Sequence, residues 1–217
     1  MPMFSVKTQE GSRKKSPSDG GASIPSQALQ WIWNFLQDVA DPMVLDCGTV
    51  SSSTVGVLIK RQAKVYVADL IGPLQHGDPT FWRQEDKQTL FCPDRLLREI
   101  PAIPPASLSL VCCWHLLDLV PRDAAPELVR ALLALLGPGG IFFCFLREPN
   151  LTVGKEGRWW LESLTTLGAH GEDLGQFPYK PLSNREIENL TAGYSLKTFL
   201  TRSHRREVVV LKPKEGN

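Results

Sequence analysis

The chain has 217 residues, 42% of them hydrophobic and 22% charged, with 24 lysines and arginines against 23 aspartates and glutamates. That is enough chain for a sizeable core. It excludes a disulfide-stapled miniprotein or a wholly disordered chain, and a net charge of +1 offers no global field to nucleic acid or anionic membrane. The five cysteines, Cys47, Cys92, Cys112, Cys113 and Cys144, are odd in number, sit in apolar runs without CxxC spacing, and read as buried small hydrophobes in a reducing compartment, with no metal site implied. No run reaches the roughly 18 apolar residues of a membrane helix, and the N-terminus has no apolar stretch behind its basic residues, so the expected location is cytoplasmic, away from membrane.

Residues 1–22, rich in Ser, Gly, Lys and Pro and bearing Arg13, Lys14 and Lys15 in a row, read as a disordered arm, and residues 23–217 as one domain. From Ser26 to Ala40 a broad apolar stripe at helical spacing (Leu29, Ile32, Trp33, Leu36) predicts an amphipathic helix, with Pro25 suited to its first turn. Met43 to Leu45 reads as a first strand, Ser51 to Lys60 as a helix capped by serines, and Val65 to Leu70 as a second strand. Asp78 and Pro79 signal a short helix to about Lys87, and Thr89 to Cys92 a third strand. Leu108 to Trp114 is apolar throughout, as a strand buried on both faces should be. A leucine-rich helix opened by Pro126 and Glu127 is stopped by Gly137 and Pro138, and the apolar strand Ile141 to Leu146 follows. Residues 149–182, with Trp159, Trp160, Phe177, Pro178, Tyr179 and Pro181, form an aromatic insert in which a lone packed helix accounts for Trp159 and Trp160 as well as an acceptor pocket does. Ser183 and Glu186 predict a capping-box helix ended by Gly193, and Tyr194 to Leu200 and Glu207 to Leu211 a closing hairpin. Strand alternating with helix in this rhythm means right-handed crossovers, hence an α/β, doubly wound, mostly parallel sheet whose last strand can reverse.

In such a sheet ligands bind beyond the carboxyl ends of the strands. The first exit reads Val44-Leu45-Asp46-Cys47-Gly48-Thr49-Val50-Ser51-Ser52-Ser53-Thr54, and the second strand is tipped by Asp69, where a carboxylate can accept hydrogen bonds from both hydroxyls of a ribose. With these two segments, the LSLVCCWHLLDLVP stretch and LVRALLALLGPGGIFFCF, the chain resembles the class I S-adenosylmethionine-dependent methyltransferases over about residues 26–212. The resemblance implies a Rossmann-like seven-stranded sheet that binds S-adenosylmethionine over its first two strands. It implies Asp46 and Gly48 in the cofactor loop, Asp69 on the ribose, Asp94 near the adenine amino group, and Trp114 and His115 facing the zone where donor and acceptor meet.

Two features depart from that family. Its loop reads D-x-G-x-G-x-G, whereas Val50 and Ser52 stand here in place of the second and third glycines, and Ser109 replaces the common fourth-strand acid. Ser51, Ser52, Ser53 and Thr54 at a helix N-terminus could compensate by receiving a carboxylate. Each residue also has a plainer reading: Asp69 and Asp94 as caps, Asp46 as a structural acid, His115 as a satisfied half-buried imidazole, Asp118 as a turn residue. His115 is the one candidate for a proton acceptor. Two functions therefore stand: a methyltransferase acting on a small-molecule or protein acceptor, or a catalytically silent methyltransferase-like binding or scaffold domain. The basic closing turn, with Arg202, His204, Arg205 and Arg206, reads as solvated, with a local RNA or anion contact as its alternative.

Overall fold

The computed structural model describes residues 22–86, 88–148, 157–171, 179–201 and 205–214. The expected arm over residues 1–21, together with Phe177, Pro178, Arg202 and His204, lies outside the described residues. Strand β1 (Ala22–Pro25) leads directly into α1 (Gln27–Phe35), and Ser26 makes the turn: its backbone is extended and its hydroxyl accepts from the Leu29 amide at 3.0 Å. Pro25 ends the strand, opposite Thr166, rather than opening the helix, and the helix stops well short of Ala40.

Of the next elements, β2 (Met43–Asp46) and α2 (Ser52–Lys60) follow the sequence pattern closely, β3 (Lys64–Val67) ends three residues before the expected Leu70, and α3 (Ile71–Gln75) forms where the pattern predicts no element. The stretch 78–87 departs from the pattern as well. Asp78 caps a single 3-10 turn, Pro79–Phe81, after which the chain extends as β4 (Trp82–Glu85) and folds back as β5 (Gln88–Phe91). The segment expected as the third strand of the main sheet thus forms a hairpin of its own. Its partner strand explains why: Arg83, Gln84 and Glu85 are exposed polar residues with no face for a sheet interior, while Trp82 and Phe91 meet edge-on at 5.1 Å across the pair.

The remaining elements are α4 (Pro93–Leu97), β6 (Leu108–Trp114), α5 (Ala125–Leu135), β7 (Leu136–Arg147), β8 (Gly157–Leu161), β9 (Thr166–Gly171), α6 (Asn184–Leu190), β10 (Ser195–Leu200) and β11 (Arg205–Leu211). Among the described residues six strands make the main sheet, in the order β10–β11–β7–β6–β2–β3. Strands β3, β2, β6 and β7 run parallel, and β11 is antiparallel to both of its neighbours, so the reversed last strand is observed. In a second, antiparallel sheet, β1–β9–β8, the described residues 157–171 of the insert supply β8 and β9, and Trp159 and Trp160, expected on a lone helix, are consecutive residues of the edge strand β8.

Consecutive residues of β11 show that the main sheet is covered on both faces. Glu207 accepts from the amide of Ala28 at the start of α1, and Arg206, pointing the opposite way, donates to Asn184 at the start of α6. The core between these layers is built from the apolar runs of β6 and β7 and the leucine stripe of α5, with all five cysteines buried and unpaired.

Candidate functional site

Asp46 ends β2 in the sheet interior, 1% exposed, and one of its oxygens is shared by two donors. The Gly48 amide reaches Oδ1 at 3.1 Å and the indole Nε1–H of Trp114, from the exit of β6, at 2.5 Å. Burial raises the Asp46 carboxyl above its ordinary value; these two donors pull it back, and the neighbouring charge of Asp69 adds to the rise. The pyrrole edge of the indole lies close against the loop: a Cβ built on Gly48 would come within 2.6 Å of both Cδ1 and Nε1 of Trp114. Glycine is required at this point by the tryptophan, which uses the close approach that the loop provides.

Trp114 itself is 1% exposed and sits at φ +50, in the left-handed region that a bulky residue adopts at a cost of about 1–3 kcal/mol. Aromatic packing holds it there. Its ring centroid lies 6.3 Å from that of Phe143 and 5.7 Å from that of Phe145, which stand two residues apart on one face of β7, and Phe145 in turn meets Trp159 at 5.2 Å. The carboxyl end of the two central strands is therefore filled by four aromatic rings.

The loop beyond Gly48 is closed from outside by β8. Val50 is 52% exposed, and its carbonyl receives the Arg158 guanidinium. Ser51 is the N-cap of α2, accepting from Thr54 N at 3.4 Å, and Ser52 is exposed in the first turn. Ser53 donates to the Leu161 carbonyl at 2.6 Å, and Thr54 accepts from the Leu161 amide at 3.0 Å. Of the hydroxyls expected to receive a ligand carboxylate, three are engaged within the protein.

The other expected site residues are distributed as follows. Asp69 stands beyond β3, and its Oδ1 accepts from Gly72 N at 2.8 Å in the turn that leads into α3. It is close enough to Asp46 to act on it electrostatically, so the structure brings Asp46, Gly48, Asp69 and Trp114 together. Asp94 is not part of that group: it lies in the first turn of α4, in an exposed ion pair with Arg98 at 2.9 Å. His115 is fully buried, and its Nε2 accepts from the Gln75 side-chain amide at 3.1 Å. Burial, with the charges of Arg205 and Arg147, holds its pKa down to about 3, so the imidazole is neutral at physiological pH and its ring nitrogen is committed to Gln75 rather than facing an acceptor. Ser109, in place of a fourth-strand acid, accepts from the Met43 amide at 3.3 Å and so ties β6 to the start of β2.

Of the basic residues of the closing turn read as solvated, Arg205 and Arg206 are described, and both pack against the protein. Arg206 is 2% exposed and forks onto the Arg147 carbonyl, the Leu182 carbonyl and Asn184 Oδ1, while Arg205 stacks over Trp159 at 4.5 Å. Arg147 and Asp118 form a buried pair at 3.5 Å, with Asp118 also accepting from Arg147 N at 3.0 Å. Burial raises the Asp118 carboxyl against the pull of Arg147. None of these pairings leaves a local sequence signal; the period-two spacing of Phe143 and Phe145 is the one hint that β7 presents an aromatic face there. The described cavities of about 460 and 450 Å³ are lined by other residues, Ile24, Phe199, Leu200 and Glu207 for the first and Pro79, Trp82 and Thr89 for the second. Among the described residues no cluster of His, Cys, Asp or Glu is arranged to hold a metal ion, and no helix is long and apolar enough to cross a membrane.

No protein-family model and no curated protein sequence matches the chain. Among solved structures it is similar to an S-adenosylmethionine-dependent methyltransferase from Methanosarcina mazei, at 14% identity and TM-score 0.47 over 85% of this chain and 98% of that one. It is likewise similar to an N-methyltransferase from Bradyrhizobium japonicum in complex with S-adenosyl-L-homocysteine, at 10% identity and TM-score 0.47 over 87% of each chain. A third neighbour is a magnesium protoporphyrin IX methyltransferase from Synechocystis with bound S-adenosylmethionine, at 16% identity and TM-score 0.46 over 85% of this chain and 76% of that one. These are neighbours in overall chain path, and the site of this chain stands on its own geometry.

Proposed function

We propose that this chain is a methyltransferase-like domain that acts as a catalytically silent binding module, its donor seat being filled by its own side chains. One observation carries the reading: the Trp114 indole lies on Gly48 and occupies Asp46 Oδ1. A cofactor entering over the first strand would have to expel that ring. Burying an aromatic side chain of this size stabilises by about 4–6 kcal/mol at 25 cal/mol per Å², and its hydrogen bond to a carboxylate adds about 1.5–3 kcal/mol. At tenfold in affinity for every ~1.4 kcal/mol, displacement would weaken an ordinary cofactor interaction by more than about three orders of magnitude. The five buried, unpaired thiols support a cytoplasmic setting. The test is calorimetric titration of the protein with S-adenosylmethionine and S-adenosylhomocysteine. No binding is expected up to ligand concentrations of about 1 mM, and a micromolar Kd would refute the reading.

The second reading, an active S-adenosylmethionine-dependent methyltransferase with a small-molecule or protein acceptor, is favoured by one specific arrangement. The sheet has the reversed strand β11 inserted beside β7, as the family resemblance implies, and Asp46, Gly48 and Asp69 lie at neighbouring strand exits. Under that reading Trp114 leaves the loop when the cofactor enters, and the same titration detects it.

A further inference from the structure

The closure of the seat depends on one side chain, and that side chain is held in an unusual way. Trp114 takes a left-handed backbone conformation that neither its bulk nor its place at a strand end favours. In doing so it brings an indole N–H to a buried carboxylate and the pyrrole edge of the ring to the one residue of the loop that lacks a Cβ. Phe143 and Phe145 wall the ring on the β7 side, and β8 holds the loop through Ser53 and Thr54.

We propose that Trp114 is a built-in occupant of a latent site: its indole stands in for a ligand made of a planar nitrogen heterocycle with an N–H donor, held by Asp46, Gly48 and the Phe143–Phe145 wall. This rests on the reading that the closed hollow coincides with the nucleoside seat. Removing the ring vacates that site and gives up its contacts with Phe143 and Phe145, while the backbone pairing of β6 with β2 and β7 does not involve the indole. Glycine and asparagine are the residues best suited to φ +50, so W114G and W114N open the hollow while relieving the backbone.

The experiment measures binding of free indole and of S-adenosylhomocysteine to the wild type, W114G and W114N, with folding followed by circular dichroism. Both variants are expected to bind indole, where the wild type does not, and to bind S-adenosylhomocysteine at least about tenfold more tightly than the wild type. Adding D46A to either variant should remove the gain. Folded variants that take up indole but bind S-adenosylhomocysteine no better than the wild type would overturn the proposal while leaving the silent-domain reading intact. Variants that stay unfolded even with indole present would overturn it too, because the ring would then be structural rather than an occupant. Tight S-adenosylhomocysteine binding by the wild type is the separate result that removes the silent-domain reading itself.

Discussion

Replacing Glu207 by glutamine and by alanine separates the two roles of a buried carboxylate that joins the reversed strand β11 to the start of α1. Glu207 is 1% exposed, and its Oε2 accepts from Ser26 Oγ and from Ala28 N, both at 3.0 Å. E207A removes both bonds and leaves a buried first-turn amide without an acceptor, at a cost of about 2–4 kcal/mol, which for a domain of this size lowers Tm by on the order of 10 °C. E207Q keeps an acceptor oxygen and removes only the charge. Burial raises the Glu207 carboxyl above its ordinary value near 4.5, despite the two donors. The folded state therefore holds the proton to higher pH than the unfolded chain does. The stability contributed by the protonated group is complete below the unfolded value and is lost as pH rises through the folded one. E207Q escapes that loss, so it should equal or exceed the wild type at pH 7, with the difference shrinking toward pH 4. Urea unfolding of the three proteins between pH 4 and 8 checks this. If E207Q is destabilised as much as E207A at pH 7, the carboxylate's charge rather than its acceptor oxygen is what holds α1, and the argument fails.

R147M should destabilise by about 3–5 kcal/mol in urea unfolding at pH 7, because it strands the buried Asp118 carboxylate without its ion-pair partner; protonating Asp118 at acid pH should recover part of the loss. G168A should disrupt the β1–β9–β8 sheet, since a Cβ there would lie 2.1 Å from the Trp160 indole; increased proteolysis or amide exchange confined to β8 and β9 would show it, and unchanged protection would refute the packing. The His115 ring resonances should not titrate between pH 5 and 8 in NMR spectra, its pKa being held at about 3. Because the unfolded chain takes up that proton first, His115 lowers stability as pH falls from its ordinary value of 6.5 toward 3, and H115Q should flatten that part of the stability profile.

Some of this protein was legible residue by residue. The extent of β6, the capping box of α6 at Ser183 and Glu186, the serine cap of α2 and the leucine stripe of α5 all lie where the sequence puts them, because each is set by contacts within one element: periodicity, a hydroxyl three residues from an amide, a glycine at a helix end. The reversed β11 was legible as a possibility, since the short connection after β10 allows a hairpin, and the two strands pair antiparallel. What was lost were partners. The cap signals at Asp78 and Pro79 suggest a helix to about Lys87, yet they set only one 3-10 turn, and Trp82–Glu85 becomes a strand by pairing with Gln88–Phe91 in a hairpin apart from the apolar main sheet. Trp159 and Trp160 suit a helix or a strand alone, and become a strand by pairing with β9. Likewise Asp46, Gly48 and Trp114 could each be singled out in the chain, but whether the hollow between them stands open is decided by the direction of one indole ring. That direction depends on Phe143, Phe145 and a backbone angle that no local pattern specifies, because it is settled only when β2, β6 and β7 lie side by side.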